Sequence, residues 1–137
     1  AAKRQKLGEI APRMLQQITR ADVAYFSCPA EKFNSIAPDN YADFFQLLPF
    51  ENYLCNIELA PNEFDRFIAE QQKGNQKYNL AWAIYPDQPV AKPKLLLATN
   101  NYVLCNSPVL KEVIKNAPEK LHVLNKIERD TIYEAMP

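Results

Sequence analysis

Three cysteines, Cys28, Cys55 and Cys105, and one histidine, His122, are the side chains best suited to nucleophilic or metal chemistry. A cysteine nucleophile needs a base, and His122 is the one imidazole present, so the candidate pairs are Cys28 or Cys105 with His122. The cysteines stand 27 and 50 residues apart, far from a CxxC pattern. Each lies in an apolar or mixed stretch, which reads as a small core residue. An odd, scattered set argues against a disulfide framework and for a reducing, cytoplasmic setting. A lone histidine without clustered cysteines does not build a zinc site, and neither metal nor cofactor is expected. His122 sits in Leu121-His122-Val123-Leu124, a strand pattern in which a hydrogen-bonded structural histidine suffices. Asp39 with Asp43, and Glu63 with Glu70, pair carboxylates at or near helical spacing, and solvated helix faces explain them without catalysis. No constellation orients a base, so the sequence points away from an enzyme.

Composition narrows the classes further. The chain has 137 residues, 2 of them glycine and 11 proline. Two glycines cannot supply a Gly-rich phosphate loop. No apolar run is long enough to span a bilayer, no leader pattern is visible, and no membrane contact is expected. The formal net charge is zero, which excludes a generic polybasic nucleic-acid binder. The charge is uneven, however. Residues 1–20 carry five basic and one acidic residue, residues 21–70 two and nine, and residues 71–137 nine and six. A polarised surface of this kind can steer a partner.

These residues must be held by elements that the apolar spacing predicts. Leu7, Ile10, Met14, Leu15 and Ile18 recur at helical intervals over residues 1–20, an amphipathic N-terminal arm or helix. Pro12 predicts a break, with a short Leu7–Ile10 piece and a second helix from Pro12. Residues 21–137 read as a single α/β domain. Val23 to Phe26 is a strand, and residues 29–38 are irregular. Asp39 or Asn40 caps a helix to about Leu48, ended by Pro49. Tyr53 to Leu59 alternates as a strand. Pro61 or Asn62 opens a helix that Gly74 is placed to cap. Tyr78 to Tyr85 and Lys94 to Thr99 are strands, the latter apolar on both faces as a central strand requires. Ser107-Pro108 starts a helix to about Asn116. Leu121 to Leu124 is a strand, and Asn125 with Glu128 resembles a capping box for a last helix. The class is α/β: a small mixed sheet with a parallel βαβ unit near the C-terminus and helices on both faces.

Ligands of open α/β sheets bind beyond the carboxyl ends of the strands. Here that place is Thr99 to Ser107. Asn100, Asn101 and Ser107 are the candidate ligand or anion contacts, beside the free N–H groups of the helix that follows.

Residues 78–137 resemble the psi subunit family of bacterial DNA polymerase III. The stretches that carry the likeness are Asn79-Leu80-Ala81-Trp82-Ala83-Ile84-Tyr85-Pro86, Leu95-Leu96-Leu97-Ala98-Thr99-Asn100 and Ser107-Pro108-Val109-Leu110-Lys111-Glu112-Val113-Ile114. Leu121 to Leu124 and the Glu128 to Met136 helix follow in the same order. Gln5-Lys6-Leu7-Gly8-Glu9-Ile10 is similar to the family's Leu-Gly-Ile segment. The resemblance implies a non-catalytic accessory or adaptor subunit of the clamp loader in DNA replication. Its N-terminal arm would fold on a replisome partner through Leu7, Ile10, Met14 and Leu15. Residues 20–77 have no counterpart in that family and would be an insertion. The alternative function is a bacterial immunity or antitoxin protein. It would neutralise a basic toxin through an acidic surface that includes Asp39, Asp43 and Glu63. Either way the expected partner is a protein, without direct nucleic-acid binding.

Overall fold

Alternating apolar residues produce five strands and helical spacing produces seven helices among residues 5–137, the part of the chain described by the computed structural model. The order is α1 (Leu7–Thr19), β1 (Val23–Pro29), α2 (Ala30–Phe33), α3 (Tyr41–Leu47), β2 (Tyr53–Leu59), α4 (Pro61–Lys77) and β3 (Leu80–Tyr85). Then come β4 (Leu95–Asn100), α5 (Asn101–Asn106), α6 (Pro108–Asn116), a 3-10 turn (Pro118–Lys120), β5 (Leu121–Ile127) and α7 (Glu128–Ala135). No helix among the described residues is long and apolar enough to cross a membrane.

The strands form one mixed sheet in the order β3-β1-β4-β2-β5. β1 and β4 are parallel, and every other neighbouring pair is antiparallel. β4 and β5 run in the same direction, as the strand-helix-strand pattern predicts, but β2 lies between them. β4 is the central strand, and Leu95 and Leu97 point to one face while Leu96 and Ala98 point to the other.

Helices cover both faces. On the first, Leu7, Ile10, Met14 and Leu15 of α1 pack with Phe26, Leu54, Ala98 and Ile132. On the second, Phe64 and Phe67 of α4 and Leu110 and Val113 of α6 pack with Tyr25, Ile57 and Leu97. Tyr25 locks α4 to the sheet: its hydroxyl donates to Gln71 Oε1 at 2.8 Å and accepts from Asn75 Nδ2 at 2.9 Å. Its ring meets Phe67 edge-on at 5.2 Å.

Several expectations need correction. α1 does not break at Pro12 but runs through it. An interior proline costs roughly 3 kcal/mol. Full burial of each large apolar side chain returns roughly 1.5–3 kcal/mol, and α1 buries Leu7, Ile10, Met14 and Leu15. Those four therefore belong to this chain's own core, and α1 is integral to the fold rather than an arm awaiting a partner. Gly8 lets α1 approach Phe33, whose ring occupies the space a Cβ at Gly8 would take. Gly74 does not cap α4, which continues to Lys77; the left-handed residue after it is Asn79, at φ 53°. The expected irregular stretch after Pro29 holds the short α2, and the Thr99–Ser107 connection holds α5. Asn125 lies within β5 and caps nothing.

Candidate functional site

The parallel strands β1 and β4 are joined by two pairs, Val23 with Leu97 and Ala24 with Ala98. Beyond them β1 follows β3 as far as Pro29, and β4 follows β2 as far as Asn100. The sheet thus parts at the carboxyl ends of its parallel strands, the switch point at which open α/β sheets take ligands. A cavity of about 320 Å³ occupies the gap. Its walls come from the end of β1 (Ser27, Cys28, Pro29), the start of β3 (Leu80) and the end of β4 with the first turn of α5 (Asn100, Tyr102). The rest comes from the loop between α3 and β2 (Leu48, Phe50, Asn52) and the start of α7 (Glu128, Arg129).

The lining is mostly apolar with a few convergent polar groups, which is the usual make-up of a small-molecule site. Phe50 and Tyr102 are 59% and 56% exposed at the cavity, and the Lys32 ammonium stands over the Phe50 ring at 5.9 Å. Glu128 is 6% exposed. Asn100 Nδ2 donates to both of its carboxylate oxygens at 3.1 Å, while Asn100 Oδ1 accepts from Val103 N at 2.9 Å and caps α5. Burial pushes the Glu128 carboxyl up to about 7, against the partial relief that the Asn100 amide gives. Burial likewise pushes the Cys28 thiol up to about 12, with the Glu128 charge adding to it, so Cys28 remains a protonated wall residue.

Arg129 fixes the loop that carries Phe50. Its guanidinium reaches the Leu48 and Phe50 carbonyls at 3.4 Å, and its Nε donates to Asp130 Oδ1 at 3.1 Å. The group also stacks over the Phe45 ring at 4.3 Å. The Glu128 amide donates to the Asn52 carbonyl at 2.8 Å. Three carbonyls of residues 48–52 are therefore held by the first two residues of α7.

No family model and no curated protein matches this chain in sequence. Solved structures do match its fold. The NAD nucleotidase of Haemophilus influenzae superposes with a TM-score of 0.68 at 12% identity, over 96% of this chain and 29% of that one. A putative 5'-nucleotidase of Staphylococcus aureus, solved with alpha-ketoglutarate, gives 0.66 at 13% identity over 96% and 34%. A 5'-nucleotidase precursor from Thermus thermophilus gives 0.62 at 13% over 97% and 32%. The chain has the fold of one part of these nucleotidases. It spans about a third of their length.

This likeness overturns the psi-family reading and with it the replication adaptor. Strand-loop-helix-strand order at residues 94–124 is shared by many α/β sheets. The decisive point is residues 20–77, an insertion under the psi reading, which here supply β1 and β2, the strands on either side of the central β4. The immunity or antitoxin alternative and the expectation of a non-enzyme fall to the same finding, since the solved structures that share this fold are nucleotidases. The acidic residues have local roles. Asp43 stands in the first turn of α3, its amide donating to Asn40 Oδ1 at 2.9 Å. Glu63, in the first turn of α4, accepts from the Ala60 amide at 2.7 Å. Carboxylates in first turns suit the positive end of a helix. Asp39 precedes α3, and its carbonyl accepts from the Tyr133 hydroxyl at 3.1 Å.

Of the ligand candidates, Asn100 lines the cavity and the other two do not. Asn101 Oδ1 accepts from the Tyr53 amide at 2.7 Å. The start of α6, read as an anion site, already holds a carboxylate of this chain. Glu70 accepts from Ser107 Oγ at 2.5 Å and from the Val109 amide at 3.1 Å, and Ser107 Oγ accepts from the Leu110 amide at 3.1 Å. His122 pairs with Asn56 on β2 and lines a shallow recess with Glu58 and Lys94 at the other end of the sheet. Cys105 lies in a groove with Tyr53 and Val123 on the face of β5 opposite His122. Cys28 and Cys105 are thus apart from His122. Among the described residues no three His, Cys, Asp or Glu side chains converge as a metal site. Among the cavity residues, Phe50, Glu128 and Arg129 lay outside the stretch the sequence reading pointed to, and Tyr102 lay inside it without being singled out. Tyr102, two residues beyond Asn100, was the one within reach of the strand-end rule.

Proposed function

We propose that this chain is the nucleoside-recognising part of a nucleotidase-type hydrolase, and that the cavity between β1 and β4 takes the nucleoside. The observation that carries this reading is the make-up of the crevice. Two exposed aromatic rings, Phe50 and Tyr102, share one cavity with a buried polar pair, Glu128 and Asn100. A nucleobase needs flat apolar contact for its faces and hydrogen-bonding groups for its edge, and stacking on an aromatic side chain is worth about 1–3 kcal/mol. The fold shared with an NAD nucleotidase and two 5'-nucleotidases supports a nucleotide as the ligand class. Three unpaired cysteines support a cytoplasmic location as part of the same reading.

Calorimetric titration with adenosine, guanosine and ribose 5-phosphate tests it. The nucleosides bind saturably, ribose 5-phosphate binds more weakly, and the double variant Phe50→Ala/Tyr102→Ala loses the nucleosides while melting as the parent does. Absence of nucleoside binding, or binding indifferent to the double variant, overturns the proposal.

A further inference from the structure

Glu128 is a buried carboxyl whose acceptor capacity the described residues fill only in part. An ionised carboxylate offers about four acceptor positions. Asn100 fills two of them, one on each oxygen. The neighbouring cation, Arg129, is turned toward the Leu48 and Phe50 carbonyls. The titratable groups that face Glu128 from β1 and β2 are Cys28 and Cys55, both held as neutral thiols by burial. Lys32 of α2 acts on Cys28 rather than on Glu128. What remains, among the described residues, is a carboxyl with two free acceptor positions, no positive partner, and a place in the wall of the cavity that carries Phe50 and Tyr102.

We propose that Glu128 selects the nucleobase by accepting the two adjacent N–H donors on the Watson–Crick edge of guanine. The inference rests on the nucleoside-binding reading above and names its preferred substrate class. Two side-by-side donors match two side-by-side acceptors. Adenine offers a donor beside a lone pair, so one carboxylate oxygen would face N1 unpaired, which a buried site penalises. The same geometry makes the preference depend on protonation. A protonated Glu128 is a donor beside an acceptor, which suits adenine instead. With the carboxyl titrating near 7 in the free pocket, about a tenth of it is ionised at pH 6 and about nine-tenths at pH 8. Guanosine affinity should therefore rise up to about tenfold over that range, and adenosine affinity should fall.

The experiment titrates guanosine, inosine and adenosine into the full chain at pH 6 and pH 8, with the parent and with Glu128→Gln. Free nucleosides are used because a phosphate would titrate in the same range. At pH 8 the parent should prefer guanosine to adenosine by about tenfold or more. Inosine, which keeps N1–H and lacks the 2-amino group, should fall between them. Glu128→Gln places a donor beside an acceptor and should erase or invert the order at both pH values. The parent's own pH series supplies the same answer without a variant. Nucleoside binding with no guanosine preference at pH 8, or with an order unchanged in Glu128→Gln, overturns the inference and leaves the nucleoside pocket standing. No nucleoside binding under any condition overturns both.

Discussion

Glu70 and Glu128 each bring a carboxylate to buried polar groups at a helix start, with opposite results. Glu70 reaches from α4 to the first turn of α6, where Ser107 and Val109 donate to it. There, at the rim of a shallow surface recess, the carboxylate acts as the capping anion. Glu128 opens α7 beside a cavity and, among the described residues, its carboxylate meets one amide, that of Asn100. The contrast separates a helix start that resembles an anion site from a crevice that has unmet polar capacity. A helix N-terminus attracts negative charge whether the charge comes from a ligand or from the chain itself. Only the complete hydrogen-bond pattern distinguishes the two.

Removing each carboxylate in turn gives the largest effects. Glu70→Ala leaves Ser107 Oγ and the Val109 amide without their acceptor and should cost about 2–4 kcal/mol in urea unfolding. Nucleoside affinity should stay within about twofold, because the start of α6 faces no ligand. Glu128→Gln should do the reverse. The folded-state value of Glu128, about 7, lies above the ordinary 4.5. The native state therefore holds a proton that the unfolded state releases between those values, and parental stability falls as pH rises from 4.5 through 7. The glutamine variant has no such slope and should exceed the parent by on the order of 3 kcal/mol at pH 8, with no advantage below pH 4.5. Unfolding midpoints at pH 4, 6 and 8 check this.

Smaller effects sharpen the same contrast. Phe50 is 59% exposed, so Phe50→Ala should weaken nucleoside binding about tenfold, or roughly 1.4 kcal/mol, and leave the melting temperature nearly unchanged. The matching change at the start of α6, Val109→Ala, acts on stability instead, since Val109 is 8% exposed. Smallest is Gly74→Ala. Gly74 lies inside α4 with open space where a Cβ would stand, and the change should stabilise by about 0.5–1 kcal/mol with no effect on ligand.

Much of the fold was legible in the sequence for local reasons. Alternation marked β2, double-sided apolarity marked β4 as central, and Ser107-Pro108 marked the start of α6. The errors arose where tertiary packing outweighed a local signal. Pro12 sits inside α1 because one side of that helix is buried from Leu7 to Leu15. Asn79 rather than Gly74 takes the left-handed position after α4. Of the candidate site, the sequence revealed the end of β4, through Asn100. It did not reveal Glu128, which resembled a capping residue beside Asn125. The meeting of Asn100, Phe50 and Glu128 depends on β2 lying between β4 and β5, and no local spacing encodes that order.

The most direct measurement is a guanosine titration of the ¹⁵N-labelled chain followed by amide chemical shifts. Nucleoside binding in the crevice predicts saturable changes centred on Cys28, Phe50, Asn100, Tyr102 and Glu128, with the amides of Ser107, Val109 and Leu110 unmoved. Shifts centred on the start of α6, or none at saturating guanosine, would contradict it.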